Sequence, residues 1–295
     1  MAPCRGRRKA KLEKMKGKNF RGRTYLNALV SLLIFGPVLL GNGECNTFIG
    51  AADKSSDDAL IYDVQQKINA GDYDGALDLI GRLSPGRRES YDGRVLEATA
   101  LAGKCGLDFI RMAKDIVEGI GSKQLMKILG SNMRNATDFT PCVQAETVLM
   151  GIQANQMTPD DHIFLAFVEF AKMGAILAES GAIDASGNVV PTYDPCTDLD
   201  DHQAGHIGTA INIAVDAIAA SGVSVAGATT AIVEELCEEI GTLPIPGDIN
   251  PCGIKDPSAF TVEQRLMIRS VVQSNEIGLN TCGGSITNPG CICPP

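Results

Sequence analysis

The 295-residue sequence contains no tryptophan, five tyrosines and nine phenylalanines, and aromatic residues make up only 5% of it. Alanine and small aliphatic residues must therefore form most of the hydrophobic core, which limits the apolar area that folding can bury. Disulfides compensate for a core of this kind, at roughly 2–4 kcal/mol each.

Catalytic signatures are also missing. The sequence has three histidines, and it contains no G-x-S-x-G nucleophile elbow, no H-E-x-x-H helix and no G-x-x-x-x-G-K-[ST] phosphate loop. Few bases are then available for a serine or cysteine triad. We therefore expect a non-enzymatic protein without a cofactor.

The cysteines do not form the usual structural zinc pattern, because no C-x-x-C pair occurs. One other stretch, DPCTDLDDHQAGH, carries metal-binding residue types. Asp198, His202 and His206 are four residues apart, and on one helix they would line a stripe able to hold a transition metal such as zinc. The favoured interpretation is structural, because acids are stabilised at a helix start and His206 borders an apolar stripe. A metal-binding protein or metal-assisted enzyme centred on His202 and His206 is the alternative.

The loop around residues 182–199 is rich in carboxylates. Four of them could converge on a structural calcium ion: Asp184, Asp194, Asp198 and Asp200. The loop does not match the twelve-residue calcium loop with glycine at position six and glutamate at position twelve. A solvated acidic loop is therefore the favoured interpretation, and bound calcium is the alternative.

Residues 1–44 have the layout of an export signal. Ten basic residues and one acid within residues 1–24 precede an apolar stretch from Tyr25 to Leu40. This stretch is shorter than the roughly 20 residues that span a membrane, so it is typical of a cleaved signal peptide. Translation from Met15 would give a leader of ordinary length, and we interpret residues 1–14 as a mis-annotated start. A retained anchor is the alternative.

The end of the leader leaves two alternatives open. If Cys45 carries a lipid, eight cysteines remain, enough for four disulfides in an oxidising compartment. Those eight disulfide candidates are Cys105, Cys142, Cys196, Cys237, Cys252, Cys282, Cys291 and Cys293. Alternatively, signal cleavage follows Gly43, where small residues stand at positions 41 and 43.

Loss of the leader changes the charge strongly. It removes ten basic and two acidic residues, which leaves 16 basic and 33 acidic residues and a net charge near −17. Such a surface repels nucleic-acid phosphates and anionic lipid headgroups. We therefore expect protein or peptide partners in the cell envelope, no nucleic acid, and membrane contact only through a lipid anchor. The predicted location is the periplasm or outer membrane of a Gram-negative bacterium.

Beyond a polar tether at residues 45–56, apolar residues recur at helical spacing. Ser56 is a predicted N-cap, Leu60, Val64 and Ile68 share one face, and Gly71 ends the first helix. A second helix up to residue 85 follows after two or three residues, so the two must pack antiparallel. A similar pair is expected at residues 92–120.

The stretch AGDYDGALDLIGRLSP resembles the turn and second helix of a tetratricopeptide repeat, and LEATALAGKCGLDFIRMAKDI resembles a segment of repeat-like bacterial envelope lipoproteins. One clear repeat covers residues 57–85 and a degenerate one covers residues 92–120, within a repeat-like part at 57–130. The resemblance implies paired helices with a concave, protein-binding face. It nominates the groove between residues 57 and 120 for binding.

The rest of the helical domain, residues 131–281, is predicted to be helical without a repeat period. Thr158 and Thr261 are predicted N-caps, and the helix after Thr158 is apolar nearly all round and therefore central. Further helices are expected from Asp200 and over residues 227–241. Residues 282–295 form a cysteine-rich tail. The sequence thus predicts an all-α, disulfide-stapled scaffold or protein-binding module that belongs to a larger envelope assembly.

Overall fold

The computed structural model describes residues 55–119, 124–222, 237–238 and 250–294. The leader, Cys45 and most of the helix expected at 227–241 lie outside these residues. All the described residues belong to a single unit.

Eleven α-helices account for most of the described chain. In chain order they are α1 Asp57–Asn69, α2 Tyr73–Gly81, α3 Pro85–Arg88, α4 Tyr91–Cys105, α5 Phe109–Gly119, α6 Leu125–Asn132, α7 Thr140–Met150, α8 Pro159–Glu179, α9 Pro195–Asp198, α10 Asp201–Ser221 and α11 Val262–Gln273. Short 3-10 helices occur at Pro257–Ala259 and Pro289–Cys291. No β-strand is found in these ranges, where pairing is limited to one isolated bridge between Ile183 and Val189. The all-α prediction is confirmed.

Local hydrogen bonds begin the helices where the sequence predicted. The Ser56 hydroxyl accepts from the Ala59 backbone N–H at 3.3 Å. Thr158 and Asp161 form a reciprocal capping box at the start of α8, and Thr261 and Gln264 form another at the start of α11. Each side chain satisfies an N–H group that the first helical turn leaves unpaired.

Helices α1 and α2 form the first predicted pair. Together with Ala100 of α4, they enclose a small core that consists of Leu60, Val64, Ala76, Ile80 and Leu83. The Asp57 carboxylate at the start of α1 accepts from the Ser84 backbone N–H at 2.9 Å. This bond ties the end of the pair to its beginning, because Ser84 lies just beyond α2.

The second expected pair has different partners. Helix α4 packs chiefly against α7 and α2, whereas α5 packs chiefly against α6. A disulfide between Cys105, the last residue of α4, and Cys142 on α7 holds the first of these contacts. The expected pairing of α4 with α5 at residues 92–120 is therefore not the main contact of either helix, because the disulfide holds α4 against α7.

Helix α8 is central, as its apolar character predicted. Its residues are buried almost without interruption from Leu165 to Leu177, and it packs most extensively against α10. Alanines on both helices allow the close approach, including Ala171, Ala175, Ala204, Ala210 and Ala214. On another side, a Cβ atom added to Gly174 would lie 2.5 Å from the Leu129 carbonyl oxygen of α6.

Four disulfides staple the chain, and they use all eight predicted cysteines. The pairs are Cys105–Cys142, Cys196–Cys293, Cys237–Cys252 and Cys282–Cys291. The tail is also held by hydrogen bonds: Gln273 Nε2 donates to the Cys291 carbonyl at 2.7 Å, and the Cys293 N–H donates to Ser270 Oγ at 2.8 Å. Cys291 and Cys293 bridge to different partners, Cys282 and Cys196.

Among the helices of the described residues, none combines the length and the apolar character needed to cross a bilayer.

A Gly174→Ala variant tests the close contact of α8 with α6. We expect a loss of about 1–3 kcal/mol in the free energy of unfolding, because the added methyl group must displace backbone atoms of α6. Urea denaturation measures the change. Gly81→Ala on α2 is the matched control: nothing lies within 4 Å of its added Cβ, so the variant should gain up to about 1 kcal/mol. An undiminished stability of Gly174→Ala would contradict the described contact.

Candidate functional site

A solvent-open pocket of about 430 Å³ lies where the repeat-like part meets the following helices. It is formed by the end of α4, by α5, and by the segment from the end of α6 to the start of α7. Its lining is mostly polar and consists of Lys104, Cys105, Gly106, Arg111, Asn132, Met133, Asn135, Ala136, Thr137, Asp138 and Pro141. The Cys105–Cys142 disulfide therefore joins the two walls of the pocket.

Arg111 on α5 is held in a fixed orientation on one wall. Its Nε donates to Asn132 Oδ1 at 3.0 Å, and its Nη2 donates to the Asn132 carbonyl at 2.6 Å. Asn132 is only 6% exposed, and its Nδ2 donates to Asp115 Oδ2 at 3.0 Å and to the Ile128 carbonyl at 3.1 Å. A buried amide thus positions an exposed guanidinium.

The pocket lining also carries a negative charge. The Asp138 carboxylate accepts from the Thr140 backbone N–H at 2.8 Å. Hydrogen bonds from the side chain and backbone of Thr140, together with the positive charge of Lys104, lower the pKa of Asp138. The carboxylate is therefore ionised at neutral pH. Lys104 also forms an ion pair with Asp74 at 2.7 Å.

The structure brings the two candidate histidines together, but not their carboxylate. The rings of His202 and His206, on α10, have centroids 4.6 Å apart. Asp198 ends the separate helix α9, where its Oδ2 accepts from the Asp194 N–H at 2.8 Å. Asp198 does not share a helix with the two histidines, because Leu199 is extended and Asp200 caps a new helix. The ranges that the structure describes contain no group of three or more His, Cys, Asp or Glu side chains placed to hold a metal ion.

The carboxylates suggested for calcium are each engaged locally. Asp184 Oδ1 accepts from the N–H groups of Ser186 and Asn188 at 2.8 and 2.9 Å. Asp194 Oδ1 accepts from the Cys196 N–H at 3.0 Å, and Asp200 Oδ1 accepts from the Gln203 N–H at 2.7 Å. These oxygens close turns and cap helices.

Three charged side chains meet inside the fold. Lys172 on α8 is completely buried, and its Nζ lies 2.5 Å from Glu146 Oε2 and 2.5 Å from Glu169 Oε2. The Glu146 contact is a hydrogen bond. The Glu169 contact lacks hydrogen-bond geometry, and neither oxygen of this fully buried carboxyl has a hydrogen-bond partner among the described residues. We call Glu146, Glu169 and Lys172 the buried charge cluster.

Burial shifts the proton equilibria in and beside this cluster. Desolvation raises the pKa of Glu169 to about 8, although the charge of Lys172 acts in the opposite direction. Glu169 therefore carries its proton at neutral pH, and Lys172 is paired with Glu146. Desolvation, with the positive charges of Lys172 and His202, lowers the pKa of His206 to about 4, so this histidine is neutral. Burial therefore keeps both Glu169 and His206 in their neutral forms at pH 7.

Comparison with protein-family models, with curated proteins and with solved structures finds no match for this chain. The candidate site therefore stands on its own geometry. Sequence reasoning did not single out Arg111, Asn132, Lys172 or Glu169. A signal was present for the last two, because they interrupt the apolar run of α8 in FVEFAKMG.

A Glu169→Gln variant tests the protonation of the buried charge cluster. Since the folded state holds a proton that the unfolded chain releases, the free energy of unfolding should fall as the pH rises from about 4.5 to about 8. One such proton contributes at most about 1.4 kcal/mol per pH unit. The variant should lose this pH dependence and be more stable than the wild type at pH 8. Urea denaturation between pH 6.5 and 8 measures the difference. In this range His206 does not interfere, because the stability that its lowered pKa removes is lost only as the pH falls from about 6.5 towards 4.

Glu118→Gln on α5 is the matched control, because it makes the same change at an exposed position. It should keep the pH dependence of the wild type. If Glu169→Gln also keeps that dependence, the buried carboxyl does not hold the proton.

Proposed function

We propose that this chain is an exported, non-enzymatic helical scaffold or protein-binding module of the cell envelope. Four disulfides indicate an oxidising environment outside the cytosol. Periplasm or outer membrane as the location, a lipid on Cys45 and membership of a larger assembly are parts of this proposal. They are supported by the signal-like leader and by the even number of cysteines, eight, that remains if Cys45 carries a lipid.

The observation that carries the proposal is the polar pocket beside the Cys105–Cys142 disulfide. Its lining includes fixed cationic, anionic and amide groups and no histidine. Such a set of groups can select a ligand without transforming it. The pocket adjoins the repeat-like helices at residues 57–120, where the resemblance to tetratricopeptide repeats places partner binding.

A metal-binding protein or metal-assisted enzyme is the second candidate. It is favoured by the close approach of the His202 and His206 rings and by His206 Nδ1, which is buried and lacks a hydrogen-bond partner in the described part of the chain. Its support is smaller, because catalytic zinc usually has three protein ligands and the carboxylate of Asp198 caps another helix. The described residues thus supply two ligands and do not fit the usual site.

Metal analysis of the purified protein separates these two candidates. Under the binding-module proposal, neither the wild type nor His202→Ala carries a stoichiometric transition metal. Mass spectrometry of the native protein and elemental analysis measure this content. One bound equivalent in the wild type that is lost from His202→Ala would favour the second candidate.

Site-directed crosslinking tests partner binding at the pocket. A photoreactive amino acid replaces Thr137, an exposed residue of the pocket lining, and the protein is irradiated in the envelope of its own cells. We expect a discrete adduct whose crosslinked peptide, once sequenced and synthesised, binds the purified protein. Thr192, an exposed threonine outside the pocket lining, is the matched control. Absence of an adduct, or the same adduct from both positions, would overturn the proposal.

A further inference from the structure

We infer that Arg111 makes the pocket a binding site for a carboxylate group, supplied by a peptide segment of the partner. This inference rests on the proposed function and adds the chemical class that the pocket recognises. The argument depends on which N–H groups of Arg111 are used, on what holds them, and on which charges surround them.

One of the two hydrogen-bonding edges of the Arg111 guanidinium is occupied within the protein. An arginine has five N–H donors, which form two edges suited to a carboxylate. Asn132 occupies the edge made by Nε and Nη2, through its side-chain and main-chain oxygens. Nη1 makes no hydrogen bond to any residue that the structure describes. The edge made by Nη1 and the second N–H of Nη2 is therefore available for two parallel hydrogen bonds to one carboxylate.

The orientation of Arg111 is determined before a ligand arrives. Asn132 is buried and bonded to both Asp115 and the Ile128 carbonyl, so its two acceptor oxygens are fixed. They fix the plane of the guanidinium. Without them, the arginine side chain would lose rotamer freedom when a ligand binds. Pre-organisation of this kind reduces the entropic cost of association.

Among the described residues, the Arg111 guanidinium has no acidic partner. The chain has 35 acidic residues, and Arg87, Arg265 and Arg269 each lie within 4.0 Å of a carboxylate. Within the described ranges, the Arg111 guanidinium forms no ion pair with a carboxylate; its backbone N–H donates to Asp108 Oδ1 at 3.0 Å, at the start of α5. In an acidic protein, an anchored arginine on a pocket wall without such a partner is available to a carboxylate from outside.

The remaining lining suits a peptide. The ionised carboxylate of Asp138 and the amide of Asn135 line the pocket with Arg111. They can accept hydrogen bonds from the N–H groups that adjoin a carboxylate in a peptide, and Asp138 disfavours a ligand that carries only negative charge. A volume of about 430 Å³ lies in the range of small-ligand pockets, roughly 300–1,000 Å³. The carboxylate can come from the C-terminus of the partner or from an acidic side chain.

Titration calorimetry with three synthetic peptides tests this assignment and separates the two sources. The first is N-acetyl-Ala-Ala-Ala with a free C-terminus, the second is the same peptide amidated, and the third is amidated N-acetyl-Ala-Glu-Ala. We expect the first or the third peptide, but not the second, to bind the full oxidised protein. Binding of the first assigns a C-terminal carboxylate, and binding of the third assigns a side-chain carboxylate.

Variants of Arg111 complete the test. Arg111→Gln should weaken binding at least roughly ten-fold, because it removes charge-assisted hydrogen bonds. Arg111→Lys should restore binding only in part, because lysine keeps the charge but lacks the fork. Arg88→Gln, an exposed arginine outside the pocket lining, makes the same charge change and should bind as the wild type does.

Three results would overturn the inference: equal binding of the amidated trialanine, equal binding by Arg111→Gln, or no binding of either carboxylate peptide. Each is distinguishable from failure of the proposed function. A specific crosslink from position 137 together with any of these results keeps the binding module and rejects its carboxylate site. Absence of the crosslink rejects the binding module itself.

Discussion

The disulfide between Cys105 and Cys142 is the constraint on which the rest of the arrangement depends. It joins the last residue of α4 to the first turn of α7 and closes a loop that contains both α5 and α6. In the chain-entropy description, a loop with a sequence separation of 37 is stabilised by about 4 kcal/mol. Because α4 is committed to α7, α5 packs on α6 instead, and the two walls of the pocket meet at the covalent link.

A core poor in aromatic residues explains how α8 and α10 pack so closely. Small side chains let the helix backbones approach each other. The stabilisation from packing then comes from many short contacts along two helices of 21 residues each. The buried charge cluster is compatible with this core only because its charge is compensated. Lys172 and Glu146 form a hydrogen-bonded ion pair, while burial raises the pKa of Glu169 so that it is neutral. An isolated buried charge would cost far more than the core can supply.

Features set by local chemistry could be predicted from the sequence, and features set by tertiary contacts could not. The N-caps at Ser56, Thr158 and Thr261 depend on side chains within three residues of the backbone they bond. The partner of α4, in contrast, depends on a disulfide between residues far apart in sequence. The sequence left open whether Asp198 shares the helix of His202, because a run of acids is compatible both with a helix interior and with the N-cap that Asp200 forms. Arg111 carries no recognisable motif, since its role depends on Asn132 from another helix.

The pocket and the central helices are connected through one aromatic residue. Phe139 follows Asp138 of the pocket, and its ring lies 5.6 and 5.4 Å from the rings of His202 and His206. Its backbone N–H also donates to Glu179 Oε2 at 3.1 Å, at the end of α8. The segment that carries Asn135 and Asp138 is thus anchored to both central helices at one end and by Asn132 at the other. Since both ends are fixed, this part of the pocket lining needs little ordering when a ligand binds, and recognition can depend on a few polar contacts.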